Sequence, residues 1–247
     1  MTKGFLILGF ILIVATFIYW TFNYILQRRM SSFAKQVMLS DLRAIRAQMN
    51  PHFIFNSLNS INRYILKNET DIASDYLGRF AKLMRLVLDN SNHERITLAT
   101  ELEALQIYVE LEQLRFEHTF VYEVSIEAGI QPEKVLVQPL IFQPILENAI
   151  WHGLMHKEEG IRKLNLNISE DSENLICEIR DNGVGREATA KEKKLKKKSY
   201  GINLVRDRLV FLDKNAELSF IDLKDSQGIS AGTAVILKFK KSEDYTI

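Results

Sequence analysis

The chain has 247 residues, 47% hydrophobic and 26% charged, an ordinary globular balance that sets aside disordered and collagen-like classes. Its formal net charge of +1 gives no global electrostatic reason to expect nucleic acid as a partner. A single cysteine, Cys177, excludes an internal disulfide and any multi-cysteine zinc site, and its place in an apolar run reads as a buried, inert thiol.

Residues 5–26 carry no charge and are mostly Phe, Ile, Leu and Val. As a helix they would reach about 33 Å, against roughly 30 Å of hydrocarbon in a bilayer. Tyr19, Trp20 and Tyr24 gather toward one end, where amphipathic rings favour a headgroup boundary. The run is too long for a signal peptide and no small-residue cleavage site follows. The expectation is one transmembrane anchor within residues 1–30. Arg28, Arg29 and Lys35 outweigh Lys3, which orients the body that follows toward the cytoplasm.

Met38, Leu42, Ile45 and Met49 form a helical seam, and Ile54, Leu58, Ile61 and Ile65 form a second one out of line with the first. Pro51 lies between them and predicts a kink, because proline removes a backbone donor and crowds the preceding turn. At about 100° per residue His52 points away from the second seam, with Asn56 on its own side. A third periodic run, Ile72, Tyr76, Phe80, Leu83 and Val87, follows a short polar link. An antiparallel hairpin of this kind exposes its seams alone, so residues 31–95 predict a homodimer that buries them as a four-helix bundle.

His52 stands in Gln48-Met49-Asn50-Pro51-His52-Phe53-Ile54-Phe55-Asn56-Ser57-Leu58-Asn59. By periodicity alone it is an ordinary surface histidine. The whole string resembles the phosphoacceptor box of the LytS/YehU-type sensor histidine kinases, which implies His52 as the residue that receives the phosphoryl group.

After a helix near residues 98–115, Phe120, Tyr122, Val124 and Ile126 alternate as a half-buried strand would. Residues 138–152 predict a helix with Pro139 in its first turn, a kink at Pro144 and a stop at Gly153. Strands are expected around Leu164, Leu166 and Ile168, at residues 175–179, near 218–221 and at 234–239, with a helix at 201–212. Interspersed strands and helices predict an α+β two-layer sandwich over residues 96–247.

Glu147-Asn148 could serve a hard cation through oxygen, although a plain helix end reads equally well. Asp181-Asn182-Gly183-Val184-Gly185 lets a backbone come close to a ligand or simply turns tightly. Taken in order, Glu147-Asn148-Ala149-Ile150-Trp151-His152-Gly153, then Asp181 to Gly185, then Gly232-Thr233 before the last strand resemble the N, G1 and G3 boxes of the GHKL (Bergerat) ATPases. That resemblance implies ATP and Mg²⁺ as cofactors and Asn148 as the Mg²⁺ ligand. It further implies Asp181 reading the adenine amino group and Gly183 and Gly185 shaping its pocket, with Gly232 and Thr233 closing it and His152 beside the nucleotide. Glu147 is the candidate for drawing the proton from the attacking imidazole. One box departs from the pattern: aligning Arg206-Asp207-Arg208-Leu209 sets Ser199, Gly201 and Leu204 where two glycines and an asparagine belong, so only Gly201 is retained.

Six lysines between residues 191 and 198 read as a solvated loop or as a lid that attracts a triphosphate. Aromatic residues do not interleave with them, which weighs against nucleic acid. His152 and His156 are four apart, but Gly153 interrupts the helix and the His-Glu-x-x-His carboxylate is missing, so zinc protease chemistry is set aside. The implied activity is a two-component kinase that phosphorylates His52 and passes the group to an aspartate of a response regulator, often one with a LytTR DNA-binding domain. The alternative is a membrane-anchored ATP-binding scaffold without catalysis.

Overall fold

The computed structural model describes residues 17, 19–21, 51–186 and 216–240. Residues 17 and 19–21 are helical and fall in the first of two compact units, Met1–Met49. Among the described residues no helix is long and apolar enough to cross a membrane. The rest of the 5–26 run lies outside them, as do the Met38 to Met49 seam, the 191–198 lysines, Gly201 and the 201–212 helix.

The second unit, Asn50–Ile247, opens with helix α1 (Pro51–Leu66) and helix α2 (Thr70–Ser91). The described part of α1 starts at Pro51, and the turn before it, where the kink is expected, lies outside the described residues. Asn68 closes the link at φ 60, a left-handed conformation that asparagine tolerates. The buried side of α1 carries Phe53, Ser57, Ser60, Ile61 and Tyr64, and that of α2 carries Ala73, Tyr76, Leu83 and Val87. Of the second-helix run Tyr76, Leu83 and Val87 are buried, Phe80 is half-buried and Ile72 is exposed. In α1 the outcome differs. Of the expected seam only Ile61 is buried, while Leu58 and Ile65 remain 49% and 53% exposed.

The reason is a third helix, α3 (Leu98–Arg115), which packs against the hairpin and selects the Phe53–Tyr64 side. The Tyr64 hydroxyl donates to the Leu114 carbonyl at 2.8 Å, and the Phe53 and Tyr108 rings lie 5.0 Å apart. Lys82 pairs with Glu103 at 2.7 Å, and Arg79 with Glu110. Helix α3 is capped by Thr97, whose hydroxyl accepts the Thr100 N–H at 3.2 Å. Leu98, Leu105, Ile107, Val109 and Leu111 are all buried, so apolar residues surround its axis, as befits a helix covered on several sides.

Strand β1 (Ile96–Thr97) pairs antiparallel with β3 (Leu136–Val137), and a second sheet is formed by β2 (Phe120–Ile126), β4 (Arg162–Glu170), β5 (Asn174–Asp181), β6 (Glu217–Lys224) and β7 (Ser230–Lys240). Its order is β2-β4-β5-β7-β6, with β2 parallel to β4 and every other pair antiparallel. The alternation read from sequence is the alternation of burial. Leu164, Leu166 and Ile168 on β4, Leu175, Cys177 and Ile179 on β5, and Val235, Leu237 and Phe239 on β7 share the inner face. Cys177 is fully buried there, and burial pushes its thiol pKa well up. The architecture is mixed α+β.

Between β3 and β4 the expected 138–152 helix is not continuous. Helix α4 covers Gln143–Asn148, followed by a π-helical turn Ala149–Gly153 and a 3₁₀ turn Leu154–His156. Pro144 sits in the first turn of α4 and kinks nothing, because the helix has no earlier turn to kink. Gly153 does not end the helical path. Residues 138–142 are irregular, with Leu140 at φ 58. A buried carboxylate holds them: Glu101 of α3, 1% exposed, accepts the Leu140 N–H at 2.8 Å and the Phe142 N–H at 3.4 Å. Leaving those two donors unmet inside the protein would cost about 1–3 kcal/mol each.

Candidate nucleotide-binding cleft and histidine face

The π-helical turn lies against β5 and β7. Contact is closest where Gly183, just past β5, meets Gly153: a Cβ on Gly183 would overlap the Gly153 backbone, and one on Gly153 would come within 2.7 Å of the Asp181 carboxylate. The Val184 N–H donates to the Gly153 carbonyl at 3.2 Å and closes the junction. On β7, Gly232 adopts φ 129 and presses on the Asp181 carbonyl, so any side chain there would be both strained and obstructed. Three of the glycines singled out in sequence thus serve close backbone approach.

The junction leaves a cleft of about 600 Å³, its open mouth included. Asn148 and His152 line it from the helical turn; Asp181, Gly185 and Thr233 line it from the sheet side, with Ile145, Ile179, Phe220 and Val235 as apolar walls. Sequence-selected residues from three separate boxes therefore meet in one place. Gly183 and Gly232 stand behind the lining, whereas Glu147 and His52 are outside it.

Asp181 is 4% exposed, and its Oδ1 accepts the Gly183 N–H at 2.9 Å. Burial pushes its pKa up to about 6, partly opposed by the backbone N–H donors of Gly183 and Thr233. It is ionised at neutral pH and equipped to accept a hydrogen bond in an apolar slot, which suits a flat base carrying an amino group. The Asn148 amide donates through Nδ2 to the Pro144 carbonyl at 2.6 Å, which ties this side chain to the first turn of α4. At the mouth, Arg186 makes two 2.7 Å bonds to the Asp222 carboxylate and lies 5.1 Å over the Phe220 ring. Sequence reasoning passed over this clamp because Asp222 is distant in the chain.

The helical turn has a second face. Glu147 and Trp151 are four residues apart, as Asn148 and His152 are, so each pair shares one side. Trp151 meets the His52 ring edge-on, centroids 5.2 Å apart at 67°, and the Phe116 ring at 5.3 Å. The Arg115 guanidinium stands 4.2 Å from the Trp151 centroid. His52 itself is exposed, and the Asn56 amide approaches its Nδ1 at 2.9 Å, in keeping with the shared side expected for the two. The Glu147 charge is felt by Tyr108 and Glu112 of α3, where it adds to the upward shift that burial imposes. Trp151 stood within the first box without a role and Arg115 outside any motif, since both owe their roles to tertiary neighbours.

Comparison with known proteins follows the same lines. Residues 40–120 match the family model described as histidine kinase. The chain is 32% identical over 146 residues to the sensor protein LytS of Staphylococcus haemolyticus, covering 59% of this chain and 24% of that protein. To the sensor protein LytS of Bacillus anthracis it is 28% identical over 202 residues, covering 79% and 34%. A looser likeness, TM-score 0.44 at 18% identity over 80% of this chain and 93% of the other, links it to the histidine kinase domain of a blue-light activated histidine kinase from Erythrobacter litoralis. The resemblance is to the sensor histidine kinases. Within them it is to the LytS type, and the chain spans 24% and 34% of the length of those two curated relatives.

Glu112, 1% exposed and 3.7 Å from Arg115, has its pKa raised by burial to about 7; Arg115 opposes the rise and Glu147 adds to it. The folded protein thus keeps a proton that the unfolded chain releases near the ordinary 4.5. The stability this group contributes is complete below that value and is lost as the pH rises through about 7, at most roughly 3 kcal/mol. Urea unfolding at pH 5 and pH 8 should show wild type losing stability across that interval and Glu112→Gln losing much less. Equal losses would contradict the assignment.

Proposed function

We propose that the protein is a two-component sensor histidine kinase that phosphorylates its own His52 from Mg-ATP and passes the phosphoryl group to an aspartate of a response regulator. One observation carries this reading: the His52 imidazole rests on Trp151, in the same helical turn whose Asn148 and His152 line the cleft with Asp181, Gly185 and Thr233. The acceptor and the nucleotide site are thereby two faces of one element.

In this reading Asp181 accepts a hydrogen bond from the adenine amino group, Gly183, Gly185 and Gly232 let the backbone approach the base, and Thr233 and His152 complete the wall. Gly201 belongs to the phosphate side. Asn148 would help to hold Mg²⁺, which would supply neutralisation of phosphate charge. A neutral His52 ring nitrogen gives its lone pair to the γ-phosphorus, the bond to the bridging oxygen breaks, and ADP leaves. Glu147, one turn before Trp151 in the chain, takes up the ring proton. Little covalent help is needed beyond placement and charge neutralisation.

The division of labour is an anchor at residues 1–30, dimerisation and phosphotransfer helices at 31–95, and a GHKL catalytic domain at 96–247. The 5–26 run would hold the protein in the bacterial inner membrane with the catalytic body in the cytoplasm. The apolar seam that α3 leaves uncovered, with Leu58, Ile65 and also Leu77 at 51% exposure, suits a second copy in a four-helix bundle. The response regulator would be of the LytTR kind and nucleic acid would be contacted only through it. A second reading, a scaffold that binds ATP without transferring phosphate, is favoured by one feature: Ser199 and Leu204 where the third box has glycine and asparagine.

Labelled ATP separates the two. Wild type should acquire an acid-labile, alkali-stable phosphate, His52→Gln should bind nucleotide but stay unlabelled, and Asn148→Asp should lose labelling by at least about a hundredfold. Unlabelled wild type that still binds ATP would favour the scaffold. A second prediction concerns Asp181. Since only its carboxylate form is a full acceptor, affinity for a fluorescent ATP analogue should fall about tenfold between pH 7.5 and pH 5. Asp181→Asn, which leaves the nucleotide's own titration in place, should bind weakly and without that added dependence; a wild-type profile parallel to that of Asp181→Asn would refute the role.

A further inference from the structure

The proposed transfer leaves open which ATP site serves which histidine in a dimer. Three observations bear on it. The hairpin and the cleft-bearing module of one chain are joined by residues 92–95 alone, between the end of α2 and the start of β1. The short link is reinforced along the length of α3: Lys82 pairs with Glu103 near one end, Phe53 packs on Tyr108 in the middle, and the Tyr64 hydroxyl bonds the Leu114 carbonyl at the other. Contacts spread in this way fix orientation as well as distance, since a module swung toward another chain would break all three sets together. Finally, His52 is already seated on the Trp151 of its own chain, and Trp151 is itself held from behind by Arg115 and Phe116.

We propose that phosphoryl acceptance occurs within one chain, and that Trp151 is the positioning residue that presents the His52 ring to the nucleotide site behind it. The inference rests on the kinase reading above. An edge-to-face aromatic contact is a weak bond but a directional one, suited to hold a ring that must also be released to a response regulator. Trp151 touches neither nucleotide nor phosphate in this account; it acts through His52. Its loss should therefore lower the rate of labelling and leave nucleotide affinity nearly unchanged.

Full-length chains carrying two different tags, one His52→Gln and the other Asn148→Asp, are co-expressed and purified through both tags in detergent, then given labelled Mg-ATP. Acceptance within one chain predicts no label, because the chain with the histidine lacks a working site and the chain with the site lacks the histidine. Label on the Asn148→Asp chain would overturn the proposal while upholding the kinase reading. An unlabelled wild-type homodimer run alongside would overturn both. For the positioning role, Trp151→Leu, which keeps apolar bulk, should label about tenfold more slowly at saturating ATP with affinity within about threefold of wild type, and Trp151→Phe should recover most of the rate. A Trp151→Leu protein that labels at the wild-type rate, or loses affinity in step with rate, would overturn that role.

Discussion

The backbone contact between Gly153 and Gly183 is the constraint on which the rest of the site depends. It joins the end of a helical turn to the loop leaving β5 with no side chain between them. From that contact follow the depth of the cleft, the burial of Asp181 beside it and the direction in which Asn148 and His152 point. Gly232 performs the same service from β7, where its backbone lies on the Asp181 carbonyl. A carboxylate is costly to bury, and here backbone N–H groups offset part of that cost while the carboxylate stays ionised at neutral pH. The strand register, with Asp181 opposite Thr233, brings both into the cleft.

The same turn links the cleft to the histidine. A π-helical stretch widens the path from Ala149 to Gly153, and the segment presents Asn148 and His152 to the cleft and Trp151 to His52. Its start is fixed from a distance by the Glu101 carboxylate. Helix α3 therefore has two functions in the architecture: through Glu101 it aims the nucleotide-lining turn, and through Tyr108 and the carbonyls of Leu114 and Arg115 it holds the hairpin that carries His52. Acceptor and cleft are braced by one helix, which is the physical basis for proposing transfer between them.

Much of this was legible in the residues. The long strands were readable because one face of the sheet is buried, so period-two alternation survives in β4, β5 and β7. The glycine boxes were readable because a close backbone approach admits no other residue. The exposure of His52 and its pairing with Asn56 followed from helical spacing. What escaped was set by partners far away in the chain. Periodicity marked Leu58 and Ile65 and passed over Phe53 and Tyr64, and the docking of α3 selected the latter side. Helix α4 begins at Gln143 instead of residue 138 because Glu101 draws Leu140 and Phe142 into an irregular path. The pair β1 and β3 is two residues long, too short for any alternation. Trp151, Arg115 and the Arg186–Asp222 clamp acquire meaning only from what they touch.

The most direct trial of the account is a single methyl group at its centre. Gly183→Ala must push the Asp181 to Gly185 turn away from Gly153, so affinity for a fluorescent ATP analogue should fall by at least about tenfold while the apoprotein still unfolds cooperatively. Gly78→Ala, where nothing lies within 4 Å, serves as the matched control and should bind as wild type does. Wild-type affinity in Gly183→Ala would show that the cleft does not depend on this contact, and the account built on it would fail.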